Sequence, residues 1–223
     1  MTPRLIILLL VAPLPWFIRR IVFTWGFGFK LGKGTYIGPS LLDTQSLEMA
    51  EGSRIGWFNI VRNMESVVLG NKARLGTFNW IAGFRSRQSV HFGKFPGRRS
   101  ALEIQDAAAI TARHLIDCTD RIVIGRFSTV AGHRSQFLTH GIDFRENMQA
   151  CAPIIIGEYC FIGTGSILLK GVQVPDCTVI AAGSVVSQKI DQGGYIYAGN
   201  PAAQLRPIDR DSGYFTRETG VVG

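Results

Sequence analysis

From Ile156 onward an aliphatic residue recurs every six positions: Ile162, Leu168, Val174, Ile180 and Val186 follow in one unbroken phase. Gly157, Gly163, Ala181 and Ser187 come directly after four of these residues, so the chain is tightly packed just past each aliphatic position. A period of six suits neither an amphipathic helix, with its repeat of about 3.6, nor an alternating strand, with its repeat of about 2. It suits a solenoid of short strands, each sending one aliphatic side chain into a shared core while every coil pairs its backbone with the next. An ordinary valine-rich sheet has no reason to hold one phase over six repeats.

The rhythm starts earlier, with interruptions. It opens at Leu31-Gly32 and Ile37-Gly38 and returns at Met49, Ile55 and Val61. It shifts to Leu69, Leu75 and Ile81, then to Ile104, Ile110 and Ile116, then to Ile124-Gly125 and Val130. Each change of phase predicts a loop between two sides of a three-sided coil. Ser86 to Ser100, with Arg85 before it and Arg87, Lys94, Arg98 and Arg99 within it, reads as a basic exposed loop, either a solvated surface or a phosphate or lipid contact. Gln136 to Pro153, with no evident sixfold core position, is expected to leave the solenoid, and long excursions from a regular scaffold usually carry function.

The chain divides into an apolar segment over 1–30, the solenoid over 31–190 and an extension over 191–223 whose end, from Asp209, is expected to be poorly anchored. Its 223 residues are enough for one sizeable core, and its 26 glycines suit tight corners. The net charge of +8 favours anionic partners such as CoA phosphates or a membrane surface. Nucleic acid ranks last, because the arginines are scattered and no binding module is visible. Cys118, Cys151, Cys160 and Cys177 form no CxxC pair, which argues against structural zinc and for reduced thiols in a cytosolic protein.

Leu5 to Ile18 is apolar, with Arg4 before it and Arg19-Arg20 after it. The run is short for a membrane span, is interrupted by Pro13 and Pro15, and lacks a cleavage site of small residues. With the aromatic stretch Ile21 to Phe29 it suits the membrane interface, through residues 5–29, on the inner face of the membrane. The alternatives are a membrane-spanning helix, or packing on the solenoid or a neighbouring subunit to cap the first coil.

The hexads, the Ile162-Gly163 pair, the run Ala182-Gly183-Ser184-Val185-Val186 and the ending Ala198-Gly199-Asn200-Pro201-Ala202 resemble the hexapeptide-repeat acyltransferases, over about Leu31 to Arg206. The resemblance implies an all-β fold, a left-handed parallel β-helix, with acetyl-CoA as acyl donor and no metal. It implies a homotrimer with sites between subunits. The acceptor it implies is a hydroxyl of a sugar, a polysaccharide precursor or a glycolipid.

Acyl transfer needs a base near neutral pKa, a donor for the oxyanion and a groove for the CoA arm. His140, just before the extended loop, takes the place of the catalytic histidine in the similar sugar acetyltransferases. Arg113, His114 and Asp117, on an earlier part of the solenoid, are candidates for substrate binding, and Asp117 is also a candidate to orient a histidine; a structural polar cluster is the competing reading. The same resemblance places the oxyanion-binding backbone N–H at Thr164, smooth CoA contacts at Ala182 and Ser187, and a phosphate contact at Arg206. The chain departs from the family pattern in two places: Phe161 stands where a tryptophan often precedes the Ile-Gly pair, and Ala202-Ala203 where a basic residue often follows Asn-Pro. Two other readings stay open. One is a zinc lyase similar to the gamma-class carbonic anhydrases, with His114, His133 and His140 as ligands, although their spacing lacks that family's close histidine pair. The other is a solenoid scaffold without chemistry.

Overall fold

The structure is a computed structural model that describes residues 3–86 and 90–220. Arg87 of the basic stretch and both chain ends lie outside the described residues.

The sixfold residues become three stacked columns. Met49, Leu69, Ile104, Ile124, Ile156 and Val174 are successive partners in one parallel ladder. Ile37, Ile55, Leu75, Ile110, Val130, Ile162, Ile180 and Tyr197 form the second. Leu42, Val61, Ile81, Ile116, Phe137, Leu168 and Val186 form the third. All except Tyr197 are 3% exposed or less, so each contributes roughly 1.5–3 kcal/mol of apolar burial. In the regular part Phe161 pairs with Val179 and Ile167 with Val185, both 18 positions apart (179 − 161 and 185 − 167), so one coil consumes three hexads. Where Leu75 pairs with Ile110 or Ile124 with Ile156, the longer step carries an inserted loop.

The corners explain the small residues that follow the aliphatic ones. A Cβ on Gly76 would lie 1.9 Å from the Thr111 carbonyl oxygen, because the next coil passes directly against the turn. Only glycine leaves room for that approach.

Two expectations change. Gln136–Leu138 is a strand of the wall, with Phe137 1% exposed in the core, and the excursion starts only at His140. The phase was hidden because the preceding corner takes one extra residue. Val130 to Phe137 is seven positions where Ile110 to Ile116 is six, and both Gly132 (φ 69°) and Arg134 (φ 64°) adopt left-handed backbone to absorb it. The excursion is an antiparallel hairpin, His140–Asp143 against Met148–Cys151.

The N-terminal segment folds as α1 (Pro3–Val11) and α2 (Trp16–Ile21), followed by a π-helical turn. Leu8, Val11, Phe23 and Phe29 are buried in the same core as Ile37 and Leu42, so the inner side caps the first coil. Ile6, Ile7, Leu10, Phe17, Ile21 and Trp25 are exposed on the outer side. Among the described residues no helix is long and apolar enough to cross a membrane. The nine residues of α1 span about 14 Å, against roughly 30 Å of hydrocarbon.

The C-terminal end is anchored rather than loose. Tyr214 donates its hydroxyl to the Cys160 carbonyl at 2.9 Å, and the Arg217 guanidinium donates to the Phe127 carbonyl while lying 3.9 Å from the Tyr214 ring centroid.

Candidate active site

The coil repeat decides which residues meet. The strand Leu115–Asp117 lies beside Gln136–Leu138, with Asp117 in register with Leu138. Thr139 then turns inward, fully buried, and donates its hydroxyl to the Asp117 carbonyl at 2.8 Å. That turn swings His140 back over Asp117. His140 Nδ1 lies 2.6 Å from Asp117 Oδ2, and the His140 backbone N–H donates to the same oxygen at 3.1 Å. Thr119 holds the other oxygen, donating its hydroxyl (2.6 Å) and its backbone N–H (3.0 Å) to Asp117 Oδ1. With both carboxylate oxygens accepting, Nδ1 carries the ring proton and Nε2 is left with a free lone pair.

The electrostatics follow from these contacts. The hydrogen bond to Asp117 raises the His140 pKa above its ordinary 6.5; burial opposes this, the Asp117 charge adds to it, and the Lys170 charge opposes it. For Asp117, burial is the largest single influence and pushes the carboxyl up. The bonds from His140 and Thr119 together outweigh it and hold the pKa below 3.8. Asp117 is therefore ionised at neutral pH, and the pair favours the imidazolium form of His140.

Aromatic rings frame the imidazole. Phe84 and Phe92 each place a ring centroid 6.0 Å from that of His140, at interplanar angles of 86° and 88°. Arg98 ties this frame together. Its guanidinium donates to the carbonyls of Phe84, of Thr119 at 3.0 Å and of Arg85 at 3.2 Å, and sits 4.6 Å from the Phe92 centroid. The basic stretch is thus not simply an exposed loop: Phe92 and Arg98 are each 4% exposed and Ser100 is fully buried.

His114 does not join this group. Its backbone N–H donates to Asn79 Oδ1, and its Nδ1 accepts the Ser135 backbone N–H at 3.2 Å. Asn79 and Asn59 make the equivalent contacts one and two coils earlier, with Asn79 N–H on Asn59 Oδ1 and Asn59 N–H on Ser40 Oγ. His114 is a rung in a buried polar ladder along one corner. Because Nδ1 is an acceptor, the proton sits on Nε2, which faces Thr111 Oγ1 at 3.0 Å. At 2% exposure with both ring nitrogens engaged, it has no atom left for a substrate, and the expected binding role gives way to a structural one. Arg113 is exposed at the same corner, with its guanidinium 5.7 Å from the Phe78 centroid. Asp117, proposed above for substrate or for a histidine, is occupied by the histidine.

The His114 rung should sense pH. Burial, and then the neighbouring His133 charge, lower its pKa to about 4. Between its unfolded value near 6.5 and that value the unfolded chain binds more protons, so stability falls as pH drops through this window. The urea midpoint is expected to decrease from pH 7 toward pH 4, and His114→Asn, which keeps the acceptor that Asn79 provides one coil away, is expected to flatten that dependence. An unchanged slope in the variant would remove His114 as its source.

The residues expected to hold CoA lie elsewhere on the surface. Thr164 and Ala182 are exposed and stack on successive coils, with the Thr164 carbonyl accepting the Gly183 N–H at 2.9 Å. Thr164 Oγ1 exchanges hydrogen bonds with the His133 backbone, at 3.0 and 2.7 Å. Ser187 lines a cleft of about 440 Å³ near the C-terminal end with Lys189, Gln192 and Tyr197. Arg206 is exposed on the strand Ala203–Pro207, paired with Ile196. Thr164 and Lys170 bracket the strand Ile167–Leu169, and Lys170 Nζ comes within 3.6 Å of a Cβ built on Gly141, beside His140. Thr164 precedes the strand Ile167–Leu169, and His140 follows its ladder partner Gln136–Leu138, so the two stand at opposite ends of one face.

Thr119, Phe84, Phe92 and Lys170 escaped the sequence reading, and Arg98 was legible only as one charge of a basic loop. Thr119 was findable, since it precedes His140 by 21 positions, the local coil step. Phe92 and Arg98 lie in an insertion with no period to follow. Among the described residues no three His, Cys, Asp or Glu side chains are grouped to hold a metal, and the four cysteines are free thiols.

No protein-family model matches the sequence. The galactoside O-acetyltransferase of Escherichia coli is 26% identical over 166 residues, covering 72% of this chain and 77% of that protein. A Saccharomyces cerevisiae protein with an inferred acetyltransferase assignment is 38% identical over 77 residues, covering 33% of this chain and 39% of its own length. Among solved structures, a variant of AntD, an N-acyltransferase from Bacillus cereus in complex with dTDP-4-amino-4,6-dideoxyglucose and coenzyme A, matches with a TM-score of 0.58 at 18% identity. The match covers 86% of this chain and 88% of that one, and is a likeness of fold. The chain spans from about a quarter to about three quarters of the length of the curated relatives it matches.

Proposed function

We propose that this chain, whose matched relatives are acetyltransferases and whose matched solved structure is an N-acyltransferase in complex with coenzyme A, transfers an acetyl or similar acyl group from acyl-CoA to a hydroxyl of a sugar or glycolipid. The observation that carries the reading is the Asp117–His140 pair, 2.6 Å apart, with Nε2 left as a base. The His140 side chain is 33% exposed, so an acceptor can reach it. His140 Nε2 takes the proton from the acceptor hydroxyl as its oxygen bonds to the thioester carbon. The backbone N–H at Thr164 donates to the oxyanion of the tetrahedral intermediate. Collapse breaks the carbon–sulfur bond, and the imidazolium returns its proton to the departing thiolate. Asp117 stabilises the imidazolium in between and keeps the ring in the required tautomer. No covalent enzyme intermediate is needed.

CoA would lie along the corner of Thr164 and Ala182. A Cβ on Gly165 or Gly183 there meets nothing within 4 Å, which leaves the backbone open to a close-lying arm. Ser187 and Arg206 are assigned to its far end. The left-handed coil and the homotrimer belong to the same proposal. The separation of Thr164 from His140 supports a site completed by a neighbouring copy, and the exposed Trp57, Phe58, Phe78, Trp80 and Leu115 offer an apolar face for one. The exposed apolar outer side of α1 and α2 is assigned to peripheral contact with the inner face of a membrane.

The test is release of CoA thiol from acetyl-CoA in the presence of a panel of sugars and glycolipids. Release that depends on an acceptor, with an acetylated product by mass, is the expected result. No acetyl-CoA binding and no release with any acceptor would favour the scaffold reading instead.

A further inference from the structure

Beside the His140–Asp117 pair the basic insertion and the hairpin enclose a cleft of about 440 Å³, lined by Phe95, Arg98, Arg99, Asp120, Arg121 and Cys151 among others. A second cleft of about 810 Å³ adjoins it, sharing Gly97, Arg98 and Arg99 and adding Arg85 and Glu65. The first adjoins the strands that carry the candidate base. Cys151 is the cross-strand partner of His140. Asp120 follows Thr119, and its backbone N–H donates to Thr139 Oγ1 at 3.0 Å, one residue before His140.

The charge in this cleft is not balanced. Arg98 is 4% exposed, and its guanidinium partners are carbonyls; among the described residues it forms no ion pair. The Arg98 charge also acts on Glu65 in the adjoining cleft, but within this cleft the guanidinium meets only neutral carbonyls and keeps its field, which is strongest where water is excluded. Arg99 is exposed and likewise has no ion pair among the described residues. Arg121 meets Glu103 only at 3.8 Å, with side chains 50% and 35% exposed, a contact that water screens. The one carboxylate in the lining, Asp120, is turned into the backbone: its Oδ1 accepts the N–H of Arg121 at 2.7 Å and of Arg99 at 3.4 Å. Three arginines therefore surround the cleft against one carboxylate already engaged, and the half-buried Phe95 adds an apolar wall.

We infer that this cleft is the acceptor subsite and that the acceptor is an anionic sugar, its carboxylate or phosphate held by Arg99 and Arg121 beside the field of Arg98 while a ring hydroxyl reaches His140. Guanidinium groups match either anion with paired hydrogen bonds. The inference rests on the acyl-transfer reading above and narrows its substrate class.

Calorimetric titration without acyl donor tests the subsite separately from the chemistry. The probes are methyl β-D-glucuronide, glucose 1-phosphate and neutral methyl β-D-glucoside, at low and at high salt. The expected result is binding of at least one anionic sugar about tenfold or more tighter than the glucoside, weakening as salt screens it. The tighter of the two anionic probes identifies carboxylate or phosphate. In the Arg99→Ala/Arg121→Ala double variant the preference is expected to fall about tenfold. Arg54→Ala/Arg74→Ala removes the same number of charges from exposed, stacked positions on another ladder and is expected to keep it. Equal binding of the neutral sugar, no binding of either anion, or equal loss in both double variants overturns the inference. Acceptor-dependent thiol release with a neutral sugar would then leave the His140 reading standing.

Discussion

Replacing His140 with alanine is expected to lower kcat/KM for acyl transfer by roughly 10²–10⁴-fold, the usual contribution of a positioned general base. The loss should fall on kcat. His140 stands at the opposite corner of its face from Thr164, so the KM for acyl-CoA is expected to change little. What survives is the contribution of the Thr164 N–H and of substrate binding, which needs no imidazole. The variant should fold normally, because the three buried columns supply the core and His140 lies outside them, at the start of the hairpin. Melting temperature and coenzyme binding are the controls. Equal acceptor-dependent thiol release by variant and wild type would remove His140 from the base role while leaving the fold and the donor site untouched.

Asp117→Asn should produce a comparable loss with a different signature. In the native pair the carboxylate fixes the Nδ1–H tautomer and favours the imidazolium; an amide can present its NH₂ to Nδ1 and select the wrong tautomer. A fall of roughly 10²–10⁴-fold in kcat/KM is expected. The pH profile separates this from general disruption. The base works when His140 is neutral, so the activity of the native protein should rise with pH through a midpoint above 6.5, the direction in which Asp117 moves His140. Removing the carboxylate deletes both influences that raise the pKa, the hydrogen bond and the charge. Burial and Lys170 remain, and both lower it. The acid limb of kcat/KM in Asp117→Asn is therefore expected to move down, to a midpoint below 6.5. A lower rate with an unmoved limb would mean that the titrating group is not His140.

The sequence exposed the solenoid because a core position repeated every six residues needs nothing beyond the local chain to be seen. It lost Phe137, whose column was displaced by one residue in a corner that two left-handed residues absorb. It marked His140 through its resemblance in place to the catalytic histidine of the sugar acetyltransferases and gave Asp117 two roles, one of which was to orient a histidine. It could not separate His114 from the site, because a rung of a buried ladder and a ligand look alike in one dimension. What distinguishes them is the Ser135 N–H on Nδ1, a contact made across 21 positions.

The division has a physical reason. Hydrophobic periodicity is a local property, and it determined that this chain would stack short parallel strands around three aliphatic columns. Catalytic geometry is set by the pitch of the coil. Asp117, Thr119 and His140 meet because one turn here takes 21 residues and Thr139 turns inward, so only the folded chain could place a carboxylate 2.6 Å from that imidazole. The same is true of Arg98, in an insertion with no period, which only tertiary packing buries against Phe84, Phe92 and Thr119.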